Sequence, residues 1–272
     1  MAIDGRSYST MKVGNGTTVK IEYRDFASST AEIAKEYALL GYPDKYVIFT
    51  EHQATTDITE TRLKNKSLDK GIFMSILLRP SFLPAQAAIL GPLSISTFTQ
   101  ALESYTTKKL GISWVSDIFC DGIKIGGTQI EGKLKDATSY DYIIVTFAVR
   151  IDEANFPPRL KDSVKRIFEK SNLSNSMMMA KTVLDKFFIE YSNFQSEKHL
   201  KYYVRKFALN GAKIKYVDNG KLRYGTVIGL NKETLELIVE SRRGAKINIS
   251  KPSAVIIPSR IKISKKKIKV ES

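Results

Sequence analysis

The sequence predicts an α+β fold: a mixed or antiparallel sheet backed by helices, then a small closed five-stranded barrel of the Src-homology-3-like type. Three observations carry this. Short β-rich runs alternate with helix-period segments up to about residue 207. Residues 112–131 read as a β-hairpin around Asp121-Gly122, a dipeptide suited to the positive φ angles of a tight turn. From Gly211 to Ile257 brief β-rich segments alternate with turn signals, at Asp218-Asn219-Gly220, Leu230-Asn231-Lys232 and Arg243-Gly244.

Taken in order, Val19–Phe26 alternates apolar and polar residues and is expected to be the first strand. Ser29, with Glu32 three residues on, fits a capping box. Ile33, Ala34, Tyr37 and Ala38 give the helix that follows an apolar face. Tyr46–Thr50 and Gly71–Leu78 are continuous apolar runs, as buried strands are. Between them 51–70 is polar and aperiodic, a loop too long to be a simple connector. Pro84 opens a helical stretch to about Thr107. The hairpin follows, then a β-rich run at Tyr140–Arg150 and helical stretches near 159–170 and 175–207. The expected division is an N-terminal extension (1–18), a large domain (19–208), the barrel (209–258) and a basic tail (259–272).

Composition limits the function classes. With 43% hydrophobic residues among 272, the chain can bury a sizeable core. Its single cysteine, Cys120, excludes an internal disulfide and fits a reducing compartment, cytosol by default or an organelle matrix. No apolar run reaches the roughly 18 residues of a membrane span. Two histidines and one cysteine offer no metal-ligand spacing, so no metal site is expected. The net charge of +15 is concentrated in 197–223 and in the tail, at Lys262, Lys265, Lys266, Lys267 and Lys269. This charge suits a polyanion, RNA or an RNA-containing assembly, or else a merely solvated surface.

The hairpin carries the strongest motif. Trp114, Asp117, Lys124 and Gly127 stand as in the Lys-Trp-(Pro/Val)-Asn-Asp … Lys-(Leu/Val)-(Ala/Gly/Cys)-Gly signature of biotin protein ligases, which this chain resembles over about residues 19–257. Ser113 and Ser116 replace the signature's lysine and asparagine. The resemblance implies a biotin/lipoate ligase-like catalytic domain ahead of the barrel. It also implies biotin, ATP and Mg as ligands, a carrier-protein lysine as acceptor, and Lys124 as the group that contacts carboxylate and phosphoryl during adenylation. Ligand contacts are implied at Ser29 and Thr30, at Gln53 and Arg62, and at Trp114, Asp117, Gly126 and Gly127. The 18 residues before the expected first strand are too few for the winged-helix DNA-binding domain of many relatives.

Three ligand loops depart from that pattern. Ser29-Thr30-Ala31 lacks the family's asparagine. The glycine- and arginine-rich loop that wraps the adenylate is replaced by 51–62, which has no glycine and carries Asp57 and Glu60. At an effective dielectric near 20, a like-charge contact at 4 Å costs about 4 kcal/mol, so this loop opposes a triphosphate. The Gly-x-Gly-x-Asn loop is replaced by Val145–Ile151, and Phe147 and Arg150 are expected to occupy part of the ligand's volume. Scaffold kept and ligand loops lost together favour a degenerate homologue acting as a binding or structural protein. The alternative is an active biotin ligase, or a ligase for another acyl group.

Overall fold

The computed structural model describes residues 5–54, 68–151, 176–193, 198–231 and 234–257. Eight strands form one mixed sheet: β1 (Arg6–Val13), β2 (Thr17–Arg24), β3 (Tyr46–Ala54), β4 (Leu68–Leu78), β5 (Leu110–Ile112), β6 (Asp117–Cys120), β7 (Ile123–Leu134) and β8 (Tyr140–Arg150). They lie in the order β1-β2-β3-β4-β8-β7-β6-β5, and only β2 and β3 pair in parallel. The α+β class therefore stands.

The N-terminal segment differs from expectation. Residues 6–13 form the edge strand β1, paired in full register with β2, so the strand expected first is the second. Their burial pattern, largely exposed with only Val13 fully covered, hides the two-residue period that marks a half-buried strand. The expected loop 51–70 is also shorter at both ends, because β3 runs on to Ala54 and β4 begins at Leu68.

One face of the sheet is covered by α1 (Thr30–Leu39), which buries Ala34, Tyr37 and Ala38 against Ile48, Leu77 and Ile144. On this side Glu22 is fully buried. Arg24 Nε donates to it at 2.7 Å, Tyr46 Oη at 3.0 Å and Tyr37 Oη at 3.2 Å. Burial and the Glu22 charge together push both tyrosine hydroxyls above their ordinary range, so they remain donors.

The other face carries the main core beneath α2 (Leu90–Glu103), α3 (Ser176–Tyr191) and α4 (Lys198–Lys206). A six-residue 3-10 turn at Pro84–Ile89 precedes α2. The stretch read as one helix from 175 is therefore divided in two, while 159–170 falls outside the described residues. In the run Met177-Met178-Met179 on α3, Met179 is core and Met178 is exposed. The lone thiol, Cys120, is buried, and burial raises it to about 11, so it is an inert packing group.

His199 on α4 is fully buried, and neither ring nitrogen finds a partner among the described residues. Burial lowers its pKa below the ordinary 6.5, so the unfolded chain takes up that proton first. Stability should therefore be intact above pH 6.5 and fall as the pH drops below it. We expect the urea midpoint to be lower at pH 5.5 than at pH 7.5, and His199→Gln to remove part of that slope. An identical slope in both proteins would exclude His199 as the cause.

After Phe207 the chain forms a second, five-stranded antiparallel sheet from β9 (Lys213–Asp218), β10 (Lys221–Leu230), β11 (Leu237–Ser241), β12 (Lys246–Ile249) and β13 (Val255–Ile256). Its order is β12-β11-β10-β9-β13. The strand count agrees with the sequence reading.

Candidate ligand site on the sheet face beside α1

The site is assembled at the N-terminus of α1. Ala27 bridges to Gln53 like an added strand residue, its amide bonding to His52 O at 3.0 Å. That contact aims the helix start at the end of β3. Ser29 caps the helix, its Oγ accepting from the Glu32 amide at 3.2 Å. Gln53 Oε1 accepts from the next amide, Thr30 N, at 3.0 Å. Two of the otherwise unpaired amides of the first turn are thus satisfied by the chain itself.

Thr30 is fully buried and its Oγ1 accepts from Ser75 Oγ at 2.9 Å. Ser75 Oγ lies 2.9 Å from Thr146 Oγ1 as well. A short chain of hydroxyls therefore runs from the helix cap across β4 to β8. Sequence reasoning missed Ser75 and Thr146. The signal for Ser75 was present, since a serine inside the apolar run Gly71–Leu78 needs a buried partner. Thr146 reads only as a good strand former.

A second part of the site comes from the hairpin. Asp121 and Gly122 have φ of 47° and 80°, as the expected turn requires. The β6–β7 ladder shifts register after Ile118, which leaves one extra residue on β7. This bulge matters for Lys124. The buried positions on β7 are 123, 125 and 128, so the exposed Lys124 and the half-exposed Gly127 end on the same side. Cross-strand pairing sets Phe73, Ala148, Gly127 and Asp117 in one row across β4, β8, β7 and β6.

Lys124 Nζ is 2.7 Å from Asp117 Oδ1. The motif's lysine and aspartate are thus paired with each other. The two glycines are needed by neighbouring backbone. A Cβ on Gly126 would stand 2.3 Å from Ala148 O, and one on Gly127 2.3 Å from Ser116 O. Trp114 is a core side chain whose Nε1 donates to Leu235 O at 2.7 Å, joining the hairpin to the connection between β10 and β11.

The structure brings together Ser29, Thr30 and Gln53 in one group, and Asp117, Lys124 and Gly127 in another. Arg62 and the lysines at 262, 265, 266, 267 and 269 lie outside the described residues. One expectation is overturned. Phe147 does not enter the ligand face; it is fully buried on the opposite face, 5.3 Å from Phe98 and 5.6 Å from Phe187. Side chains alternate along a strand, so Thr146, Ala148 and Arg150 face the site while Phe147 and Val149 face the core. Among the described residues no cluster of three or more His, Cys, Asp or Glu is placed to hold a metal ion, and no helix is long and apolar enough to cross a membrane.

This mixed sheet, with α1 on one face and, among the described residues, three helices on the other, matches the catalytic fold of biotin protein ligases. A variant of the Aquifex aeolicus biotin protein ligase in complex with biotin superposes with a TM-score of 0.63 at 16% identity, covering 90% of this chain and 98% of that one. The same enzyme with biotin and ATP gives 0.58 over 90% and 99%. A biotin protein ligase-like protein of unknown function from a Silicibacter species gives 0.57 at 14% identity, over 85% and 94%. In sequence the chain is similar to the bifunctional ligase/repressor BirA of Bacillus spizizenii, 26% identical over 150 residues, and to that of Bacillus subtilis, 26% over 141. These matches cover 55% and 52% of this chain, and the chain spans less than half of either relative, 46% and 43%. No family model matches the chain.

Proposed function

We propose that this chain is a biotin protein ligase homologue that binds a partner or ligand without carrying out ATP-dependent adenylation. The observation behind this reading is the state of its cationic machinery. Adenylation needs positive charge at the developing pentavalent phosphorus and free backbone amides around the phosphates. Lys124, the residue implied for that role, is committed to Asp117 at 2.7 Å. Gln53 and Ser29 are committed to the α1 amides. The loop that would supply arginines and glycines supplies Asp57 and Glu60 instead.

A second reading, an active ligase, draws support from Phe147. Because that ring lies in the core, the small residues Ala148 and Gly127 are left on the ligand face, where biotin could rest. On that reading biotin and Mg–ATP are substrates and a carrier-protein lysine is the acceptor. Titration calorimetry with biotin, then with Mg–ATP, followed by mass spectrometry of the mixture, separates the two. We expect no measurable heat from ATP at millimolar concentration and no biotinyl-AMP. Accumulation of biotinyl-AMP, or labelling of a carrier domain, would establish the ligase instead.

A further inference from the structure

We propose that the outer face of the second sheet is a binding site for single-stranded RNA. The strand register builds it. Across β9 and β10, Lys213 pairs with Thr226, Lys215 with Tyr224 and Val217 with Leu222, while Ile256 of β13 lies opposite Lys215. These residues alternate with the buried Ile214, Tyr216, Gly225 and Val227, so they share the solvent side. Lys213, Lys215, Tyr224, Thr226 and Ile256, together with Glu240 and Arg242, line a groove of about 510 Å³.

Two properties indicate the occupant. The first is an exposed aromatic platform. Tyr224 is 45% exposed, and instead of being buried its ring is held by cations, with the Arg242 guanidinium 4.8 Å and Lys215 Nζ 5.6 Å from its centroid. A tyrosine carrying a guanidinium offers a flat, fixed surface on which a base can stack. The second is charge. Lys213, Lys215 and Arg242 face one carboxylate, Glu240, and none of the three cations is in an ion pair among the described residues. Exposed Val217, Leu222 and Ile256 continue the face with apolar surface, which suits unstacked bases better than a duplex of phosphates alone. An acidic peptide would use the cations but would leave the Tyr224 platform without a purpose.

The site deepens the binding-protein reading without depending on loss of adenylation, because RNA binding and biotinyl-AMP formation are measured separately. The test is fluorescence anisotropy of a labelled oligo(U) 12-mer with the full chain. We expect Tyr224→Ala and the pair Lys215→Ala/Arg242→Ala each to weaken binding about tenfold or more, with Tyr224→Phe close to the parent. The three cations should contribute roughly −2 to the log–log salt slope, at about −0.7 per phosphate on a single strand. Far-ultraviolet circular dichroism confirms that these surface variants are folded. Removal of 258–272, whose sequence is basic, should lower overall affinity yet leave the Tyr224 effect in place. The proposal fails if Tyr224→Ala binds like the parent, if the charge variants leave the slope unchanged, or if poly-glutamate competes as well as unlabelled oligo(U) at equal charge. Those outcomes would mean a basic surface without nucleic-acid character, or an acidic protein as partner.

Discussion

Phe147→Ala is expected to destabilise the protein by about 3–5 kcal/mol and to create no biotin binding. The ring is fully buried between Phe98 of α2 and Phe187 of α3, so truncation opens a cavity in the main core. Chemical denaturation gives the loss, and calorimetry with biotin gives the second half of the result. The two halves together decide what the ring does. Were it a plug in a ligand pocket, its removal would cost little stability and would admit ligand. A variant with near-parental stability and new biotin affinity would overturn the core assignment.

Glu22→Ala should cost a comparable amount, about 3–5 kcal/mol, for a different reason. The carboxylate accepts from Arg24, Tyr37 and Tyr46 in a site closed to solvent. Removing it leaves the Arg24 guanidinium largely enclosed, with a side-chain exposure of only 14%, and two hydroxyls without their acceptor. The loss should exceed that of Glu22→Gln, which keeps a hydrogen-bond acceptor and surrenders only the charge. Urea unfolding of both variants measures the difference. Equal losses would mean that the network works through shape and not through the ion pair. The network also fixes α1 over the sheet, since Tyr37 belongs to that helix. Local hydrogen exchange in 30–39 should therefore rise in Glu22→Ala before the rest of the sheet responds.

Much of the site's local structure could be read from the chain. The Ser29 cap and the Asp121-Gly122 turn each follow from short-range chemistry. A cap needs a side-chain oxygen near free amides, and a tight turn needs positive φ. The apolar face of α1 follows from its helical period. The motif at Trp114, Asp117, Lys124 and Gly127 indicated the fold of the large sheet, because those residues are spaced as that hairpin requires.

Four features were decided only in three dimensions. Strand β1 was hidden because an edge strand with most side chains in solvent shows no two-residue period. The side taken by Phe147 depended on register, and a one-residue change along a strand moves a side chain through the sheet. The Asp117–Lys124 pair depended on the bulge in β7, whose extra residue returned Lys124 to the aspartate's side. The Tyr224 groove joins four strands and the residue just beyond β11, and no local pattern ties Arg242 to Lys215. Fold class and local turns were thus fixed by short-range sterics and periodicity. Which side chains meet was set by pairing across strands far apart in the chain, and that determines whether a retained motif is still a site.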